Sequence, residues 1–361
     1  MRVLLVGGGT GGHLFPAVSI AEALRDAGVS DIAFAGREGG LEGRVVPALG
    51  WRFFAIQALP LRRSMAPAAV GALLRTVRVA YGILREFAPD VVVATGGYVA
   101  GGVVLAHALR RGKTVIHEQN AIPGRTNRWL ARWARRICIT FESTSRYFKA
   151  RPCVHTGLPV RKELLQAKME RSEACRALEL DPGEKVLFVI GGSQGARTLN
   201  RWMQAILPDL RTRGIQVIHQ VGERNASEFE SFARAPGYRW FGFMGARELG
   251  QALSAADLVV SRAGASTLTE IALFGKPAIL IPYPYAYADH QWYNARELAA
   301  RGGAKVFRES ELDAQRLLVQ VVELLENTDI LRAMGQANRG WAKEGSAQRV
   351  VEQVMEVASR A

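Results

Sequence analysis

An apolar run that empties into a glycine turn and then into a helix opens each half of this chain. Residues 2–6 (RVLLV) lead into GGGTGGH and a helix predicted from Pro16 to Ala27, with Ala17, Ile20, Ala21 and Leu24 at helical spacing. Residues 186–190 (VLFVI) lead into GGSQGA and a helix predicted from Leu199 to Leu210. Unbroken apolar runs of this length fit strands buried on both faces, which belong to parallel sheets covered by helices. At 361 residues the chain is too long for one ordinary core. The repeated plan predicts an α/β protein of two Rossmann-like, doubly wound domains facing each other across a cleft.

The intervening residues continue the pattern. Strands are predicted at 32–35, 53–56, 91–95 and 114–117 in the first half, and at 216–220, 238–243, 258–260 and 278–281 in the second, with a helix at 41–48. Gly157-Leu158-Pro159-Val160-Arg161 reads as the boundary, because Pro159 stiffens the connection. The expected division is 1–160 and 161–344, with a last helix near 347–358, in the terminal stretch 345–361, returning to the first domain.

Composition excludes several classes. Apolar residues make up 48% of the chain and the mean hydropathy is near zero, as in a soluble globular protein. The amino terminus lacks the apolar core and cleavage site of a secretory signal. Val91–Leu109 contains no Lys, Arg, Asp or Glu, but glycines at 96, 97, 101 and 102 break it into strand, turn and helix rather than a membrane span. Cys138, Cys153 and Cys175 are odd in number and lack C-x-x-C spacing, so neither a disulfide framework nor a zinc site is expected and a reducing cytoplasm fits.

Charge is unevenly spread. The first 155 residues carry 21 Lys and Arg against 9 Asp and Glu, and the remainder 26 against 24. Basic halves bind nucleic acid, anionic lipid or phosphorylated substrates. In the run LRRSMAPAAVGALLRTVRVAYGILREF, one face is expected to hold Leu73, Leu74, Val77, Tyr81 and Leu84, with Arg75, Arg78 and Arg85 around it. Arg62, Arg63, Arg110, Arg111, Lys113, Arg128, Arg132, Arg135 and Arg136 lie in the same half, which favours an anionic membrane surface. No nucleic-acid recognition motif is present, so nucleic acid is not an expected partner.

The residues for chemistry cluster at predicted strand ends. His13 sits where a helix amino terminus disfavours imidazolium, leaving a neutral ring that can accept a proton. The strand 114–117 delivers His117, Glu118, Gln119 and Asn120 to the crevice. In residues 261–294, Gly264 is expected to turn the backbone sharply so that the amides of Ser266 and Thr267 form an anion site. Glu270, one helical turn on, suits two adjacent ribose hydroxyls, and Asp289, His290, Gln291 and Asn294 suit sugar hydroxyls. Together these features point to a nucleotide-sugar.

These motifs also resemble a known family. GGTGGH (8–13), TGGY (95–98), HEQNAIPG (117–124), GLPVR (157–161), GGSQGA (191–196), SRAGAST (261–267) and DHQWYNA (289–295) occur in the order seen in the MurG family. That resemblance implies a GT-B fold and inverting, metal-independent transfer of N-acetylglucosamine from UDP-GlcNAc to the muramoyl 4-hydroxyl of lipid I, giving lipid II. It implies a peripheral enzyme on the cytoplasmic face of the inner membrane, without a cofactor, among other cell-wall synthesis and division proteins. By motif position, Thr10, Gly11, Gly12, Asn120, Arg161, Ser193, Gln194, Met244, Ala265, Ser266, Thr267, Glu270, Gln291 and Asn294 correspond to the donor site. His13 is the first candidate base and Glu118 the second, while Tyr98 with Leu74, Arg75, Arg78 and Tyr81 corresponds to the acceptor and membrane side.

After Gly-Gly-Tyr the family usually shows a serine and then a proline, where this chain has Ala100 and Gly102, so the acceptor loop is expected to differ there. The alternatives are another UDP-sugar enzyme of the same fold, such as a glycolipid glycosyltransferase or a UDP-N-acetylglucosamine 2-epimerase, or a non-catalytic nucleotide-sugar binding protein. HEQNAIPG together with GGSQGA argues against the two enzymes.

Overall fold

The computed structural model describes residues 1–56, 66–149, 151–192, 194–232 and 236–360, with backbone alone for 66–70, 72 and 232. The chain divides into two compact units, Met1–Arg161 with Lys343–Ala361, and Lys162–Ala342. The first unit carries strands β1 (Arg2–Gly7), β2 (Asp31–Arg37), β3 (Arg52–Ile56), β4 (Val91–Gly96), β5 (Lys113–Glu118), β6 (Arg136–Ile139) and β7 (Cys153–His155). They form one sheet in the order β3-β2-β1-β4-β5-β6-β7. The second unit carries β8 (Lys185–Ile190), β9 (Ile215–Gln220), β10 (Tyr238–Phe241), β11 (Leu258–Ser261), β12 (Ala278–Leu280) and β13 (Ala304–Val306), in the order β10-β9-β8-β11-β12-β13.

All these pairings are parallel. Each unit is therefore doubly wound, and its strand order reverses between its first and fourth strands. The crevice beyond the carboxyl ends of those two strands is the usual ligand position in such sheets. In the first unit it is bounded by the turns after β1 and β4, in the second by the turns after β8 and β11. The strands not anticipated, β6, β7 and β13, are three or four residues long and carry no extended apolar run.

The first helix begins at Gly11 and runs to Asp26, five residues ahead of the expected start at Pro16. Gly11, Gly12 and His13 are its first turn, so the glycine loop itself opens the helix, with the His13 amide donating to the Thr10 carbonyl at 3.2 Å. The last helix, Ser346–Ser359, belongs to the core of the first unit. Val350, Val351, Val354 and Val357 cluster there with Leu14, Ala17, Ile20 and Leu24. Lys113 donates to the carbonyl of Ala358 (3.0 Å) and to that of Arg360, and Arg136 pairs with Glu356 at 2.8 Å. Lys113 and Arg136, counted above with a basic surface, are thus engaged in holding this helix.

The helix Ala66–Phe87 presents a different face from the one expected. Thr76, Ala80, Ile83, Leu84 and Phe87 are buried, whereas Leu74, Val79 and Tyr81 are 63%, 43% and 49% exposed. Arg75, Arg78 and Arg85 share that outward side, and Arg110 lies over the Tyr81 ring. Ala100 and Gly102, expected in an acceptor loop, lie instead inside the helix Tyr98–Leu109. A Cβ on Gly102 would come within 2.3 Å of Thr76 Cγ2, so the glycine lets the two helices approach. Arg62 and Arg63 lie outside the described residues. Among the described residues no helix is long and apolar enough to cross a membrane.

Leu24 of the first helix is fully buried in the core that the last helix completes. Leu24→Ala is expected to cost about 2–5 kcal/mol, read as a lower urea midpoint; an unchanged midpoint would contradict this packing.

Candidate active site

In the first unit the turn after β1 is fixed by a carboxylate that no sequence motif announced. Glu42, 1% exposed, accepts from the amides of Gly9 (3.1 Å) and Arg37 (3.0 Å). A Cβ on Gly8 would lie 2.3 Å from its carboxyl group, so only glycine fits above it. The turn after β4 approaches as closely: Gly97 has φ +87°, and a Cβ there would stand 2.7 Å from the Gly8 carbonyl oxygen. Two chain reversals thus meet backbone to backbone at the switch point.

His13 is half-buried on this platform. Its Nδ1 lies 3.2 Å from Thr10 Oγ1, Thr95 Oγ1 donates to its carbonyl at 2.8 Å, and its ring covers Gly96, where a Cβ would sit 3.0 Å from Nε2. Thr10 and Gly12 are exposed and Gly11 half-buried. Tyr98 stands beside Gly9 and accepts from Arg37 Nη1 at 3.4 Å. Arg161, half-buried, stacks its guanidinium over Phe15 at 5.0 Å.

The four polar residues at the end of β5 do not all face the crevice. His117, Glu118 and Gln119 are 0%, 1% and 2% exposed, and only Asn120 is half-buried. The Glu118 carboxylate accepts from the Asn120 amide (2.9 Å), Asn127 Nδ2 (2.9 Å) and the Gly124 amide (3.1 Å). Burial raises its pKa, against those same hydrogen bonds, which lower it. This geometry corrects the expectation of Glu118 as a base: the carboxylate holds the loop that presents Asn120. His117 pairs through Nε2 with the Gly157 carbonyl (3.0 Å), and Gln119 donates to the Thr95 carbonyl (2.8 Å), tying β5 to the turn after β4.

In the second unit the glycine turn after β8 has Gly192 at φ +84° and Gly195 at φ +71°. A Cβ on Gly195 would collide with the Val221 carbonyl oxygen at 2.0 Å. Gln194 is exposed on this turn; Ser193 lies outside the described residues. Gln220, the last residue of β9, donates to the Gly192 carbonyl (3.0 Å) and accepts from the amide of buried Met244 (3.3 Å), joining the turn to the next loop.

The turn after β11 differs from expectation in one respect. Gly264 has ordinary extended angles, φ −67° and ψ 139°, and a Cβ there would meet nothing within 4 Å. The glycine opens space rather than forcing a turn. The helix Ala265–Leu273 starts immediately after it, with Ala265 buried and Ser266 and Thr267 half-buried in its first turn. Glu270 is 9% exposed.

Gln291 and Asn294 hold this turn in place. Gln291 Oε1 accepts from the amides of Ala263 (3.1 Å) and Tyr283 (2.9 Å), and Asn294, fully buried, donates to the Ala263 carbonyl at 3.2 Å. Asn294 was expected to meet a sugar; its burial makes it a support for the turn instead. Glu42 in the helix Leu41–Ala48, Gln220 at the end of β9 and Asn127 in the helix Arg125–Leu130 were not anticipated, because a single polar position carries no periodic signal. Among the described residues no group of three His, Cys, Asp or Glu is placed to hold a metal.

Two doubly wound units, each with glycine turns at its switch point, give the chain a GT-B fold. The N-terminal domain of glycosyltransferase family 28 matches residues 3–139 and the C-terminal domain of the same family matches residues 186–354. The chain belongs to this family. It is 41% identical, over 100% of its length and 99% of the relative's, to the UDP-N-acetylglucosamine--N-acetylmuramyl-(pentapeptide) pyrophosphoryl-undecaprenol N-acetylglucosamine transferase of Desulforudis audaxviator. A protein of the same name from Moorella thermoacetica is 40% identical over 98% of both chains. Among solved structures, Acinetobacter baumannii MurG superposes with a TM-score of 0.79 at 29% identity, covering 98% of this chain and 99% of that one. The UDP-GlcNAc 2-epimerase of Neisseria meningitidis shares the fold, with a TM-score of 0.73 at 13% identity over 99% and 100% of the two chains.

Burial lowers the pKa of His117 to about 4, against its bond to the Gly157 carbonyl, and that of His219 to about 3. Both rings are neutral in the folded units, while the unfolded chain titrates near 6.5. Below that pH the unfolded state binds more protons, so stability is complete above about pH 6.5 and declines as the pH falls toward 4. Urea midpoints at pH 7, 6 and 5 are expected to fall in that order; a flat series would contradict the buried neutral rings.

Proposed function

We propose that the chain is an inverting transferase that moves N-acetylglucosamine from UDP-GlcNAc to the 4-hydroxyl of the muramoyl sugar of undecaprenyl-pyrophosphoryl-N-acetylmuramoyl-pentapeptide (lipid I), forming lipid II. The observation that carries this reading is identity of about 40% across the whole chain to transferases named for that reaction. The epimerase alternative rests on shared fold alone, at 13% identity.

In this reading the donor lies on the second unit. The space over Gly264 admits the diphosphate, and the first amides of the helix Ala265–Leu273, with the dipole behind them, face it together with the turn holding Ser193 and Gln194. These fixed donors stabilise charge growing on the departing UDP, so the reaction needs no metal. Glu270 takes the ribose hydroxyls, and Gln291, with its Oε1 committed to backbone, offers its Nε2 to the sugar. Met244 lines the base side; Thr10, Gly11, Gly12, Asn120 and Arg161, which the family motifs assign to the donor, lie on the first unit.

His13 is the base. It removes the 4-hydroxyl proton as that oxygen attacks the anomeric carbon and the bond to the UDP oxygen breaks. For Nε2 to accept the proton, Nδ1 must carry hydrogen and donate to Thr10 Oγ1. Thr10 thereby selects the tautomer, as second partners of catalytic histidines do. Tyr98 lies on the acceptor side. The outward face of Ala66–Phe87, with Leu74, Val79 and Tyr81 between Arg75, Arg78 and Arg85, rests on the anionic cytoplasmic surface of the membrane where the lipid-linked acceptor resides. Other cell-wall synthesis and division proteins are partners consistent with this location.

The direct test is transfer of labelled N-acetylglucosamine to a lipid I analogue, with UDP-glucose as control donor; absence of transfer with an intact protein would overturn the reading. His13→Ala is expected to lower kcat by about 10²–10⁴ with little change in UDP affinity. Thr10→Val should lower kcat less and Thr10→Ser hardly at all; full turnover in His13→Ala would make the ring structural. Replacing Arg75 and Arg78 with Glu is expected to release the protein from anionic vesicles, each charge contributing about 1 kcal/mol. Undiminished sedimentation with vesicles would place the membrane face elsewhere.

A further inference from the structure

Arg262 enters the turn after β11 as a nearly buried cation, 8% exposed. Its Nη1 donates to the carbonyls of Ile281 (3.1 Å) and Pro282 (3.3 Å) beyond β12. Its Nη2 pairs with Glu309 Oε2 at 2.5 Å, on the turn Glu309–Glu311 that follows β13. The other oxygen of Glu309 accepts from Thr198 Oγ1 at 2.8 Å, and Thr198 is the second residue of the helix Arg197–Thr212 that the GGSQGA turn opens. The Arg262 amide donates to the Ile190 carbonyl at the end of β8 (3.3 Å). One ion pair thus gathers the chain beyond β8, β11, β12 and β13.

We propose that Glu309 is a positioning residue for the donor diphosphate, acting through Arg262 and Thr198 to fix the two turns that bracket it. The proposal rests on the donor-site reading above. A cation beside a diphosphate turn invites the simpler idea that Arg262 grips the phosphates itself. The geometry points the other way, because Nη1 donates to two carbonyls and Nη2 is held against the Glu309 carboxylate. Nε is buried and has no hydrogen-bond partner. With its charge matched by Glu309, the guanidinium ties backbone together and leaves the diphosphate to the helix amides. A buried pair of this kind is costly to desolvate and contributes geometry more readily than net stability.

The two ideas predict opposite signs. Glu309→Gln keeps an oxygen for Thr198 but removes the anion. If Arg262 were the phosphate ligand, freeing its charge would leave UDP binding equal or tighter. If Glu309 positions the turns, UDP binding weakens, by about tenfold in Glu309→Gln and more in Glu309→Ala, the scale of one hydrogen bond to a charged group. Calorimetric titration with UDP, with steady-state KM values for UDP-GlcNAc and for a lipid I analogue, reads this. The donor KM is expected to rise with the UDP Kd while the acceptor KM holds. Combining Arg262→Ala with Glu309→Gln, which keeps the oxygen for Thr198, should weaken UDP no further than Arg262→Ala alone. A wild-type Kd in folded Glu309→Gln, or a lowered melting temperature with unchanged Kd, overturns the role of Glu309. A wild-type protein that binds no UDP overturns the donor-site reading beneath it, which is a separate result.

Discussion

A parallel sheet sends every strand out through the same edge. That constraint organises both units of this protein. Each crossover must return over a helix to the far edge before the next strand begins, so the turns after the strands accumulate on one side. Where the strand order reverses, two such turns diverge and leave a crevice bordered by backbone. Side chains would fill it, and glycines keep it open. At the first switch point a Cβ on Gly97 would stand 2.7 Å from the Gly8 carbonyl oxygen, and Gly96 leaves room for the His13 ring.

Loops brought this close need their amides satisfied, and in several places a buried carboxylate does it. Glu42 takes the Gly9 and Arg37 amides, and Glu118 takes those of Asn120 and Gly124. Each supplies acceptors where no neighbouring strand is available, so an irregular segment is fixed as firmly as a ladder would fix it. Such networks are stabilising only when complete, because in a low-dielectric interior an unmatched group is penalised heavily. The carboxylates closest to the chemistry are for that reason parts of the frame. His13, the base in the proposed reaction, is half-buried beside Thr10 at the first switch point.

The surface of the first unit follows a separate logic. Its excess positive charge is not spread evenly: Arg136 is consumed by Glu356 and Lys113 by carbonyls at the end of the last helix. Along Ala66–Phe87, by contrast, arginines alternate with exposed Leu74, Val79 and Tyr81. A helix whose buried side is already complete has no need of large apolar residues on its outer side, and a charged lipid surface suits that mixture.

Strand runs and helix periodicity are local properties, and the sequence by itself determined them: the strands at 91–95 and 186–190 and the helix at 41–48 stand within a residue or two of where the pattern puts them. The short edge strands β6, β7 and β13 escaped because so few residues carry no period. Direction was decided only by tertiary structure. A polar residue at the end of a strand is as readily turned inward as outward, and which happens depends on donors brought from distant parts of the chain. Asn127 and Gly124 draw Glu118 into the loop, and the carbonyl of Ala263 draws Asn294 inside. The same holds for the helix 66–87, whose buried face was set by its neighbour at Gly102 rather than by its own apolar count. Sequence specifies what a residue can bond to; only packing decides which partner arrives, because that partner is supplied by segments far away along the chain.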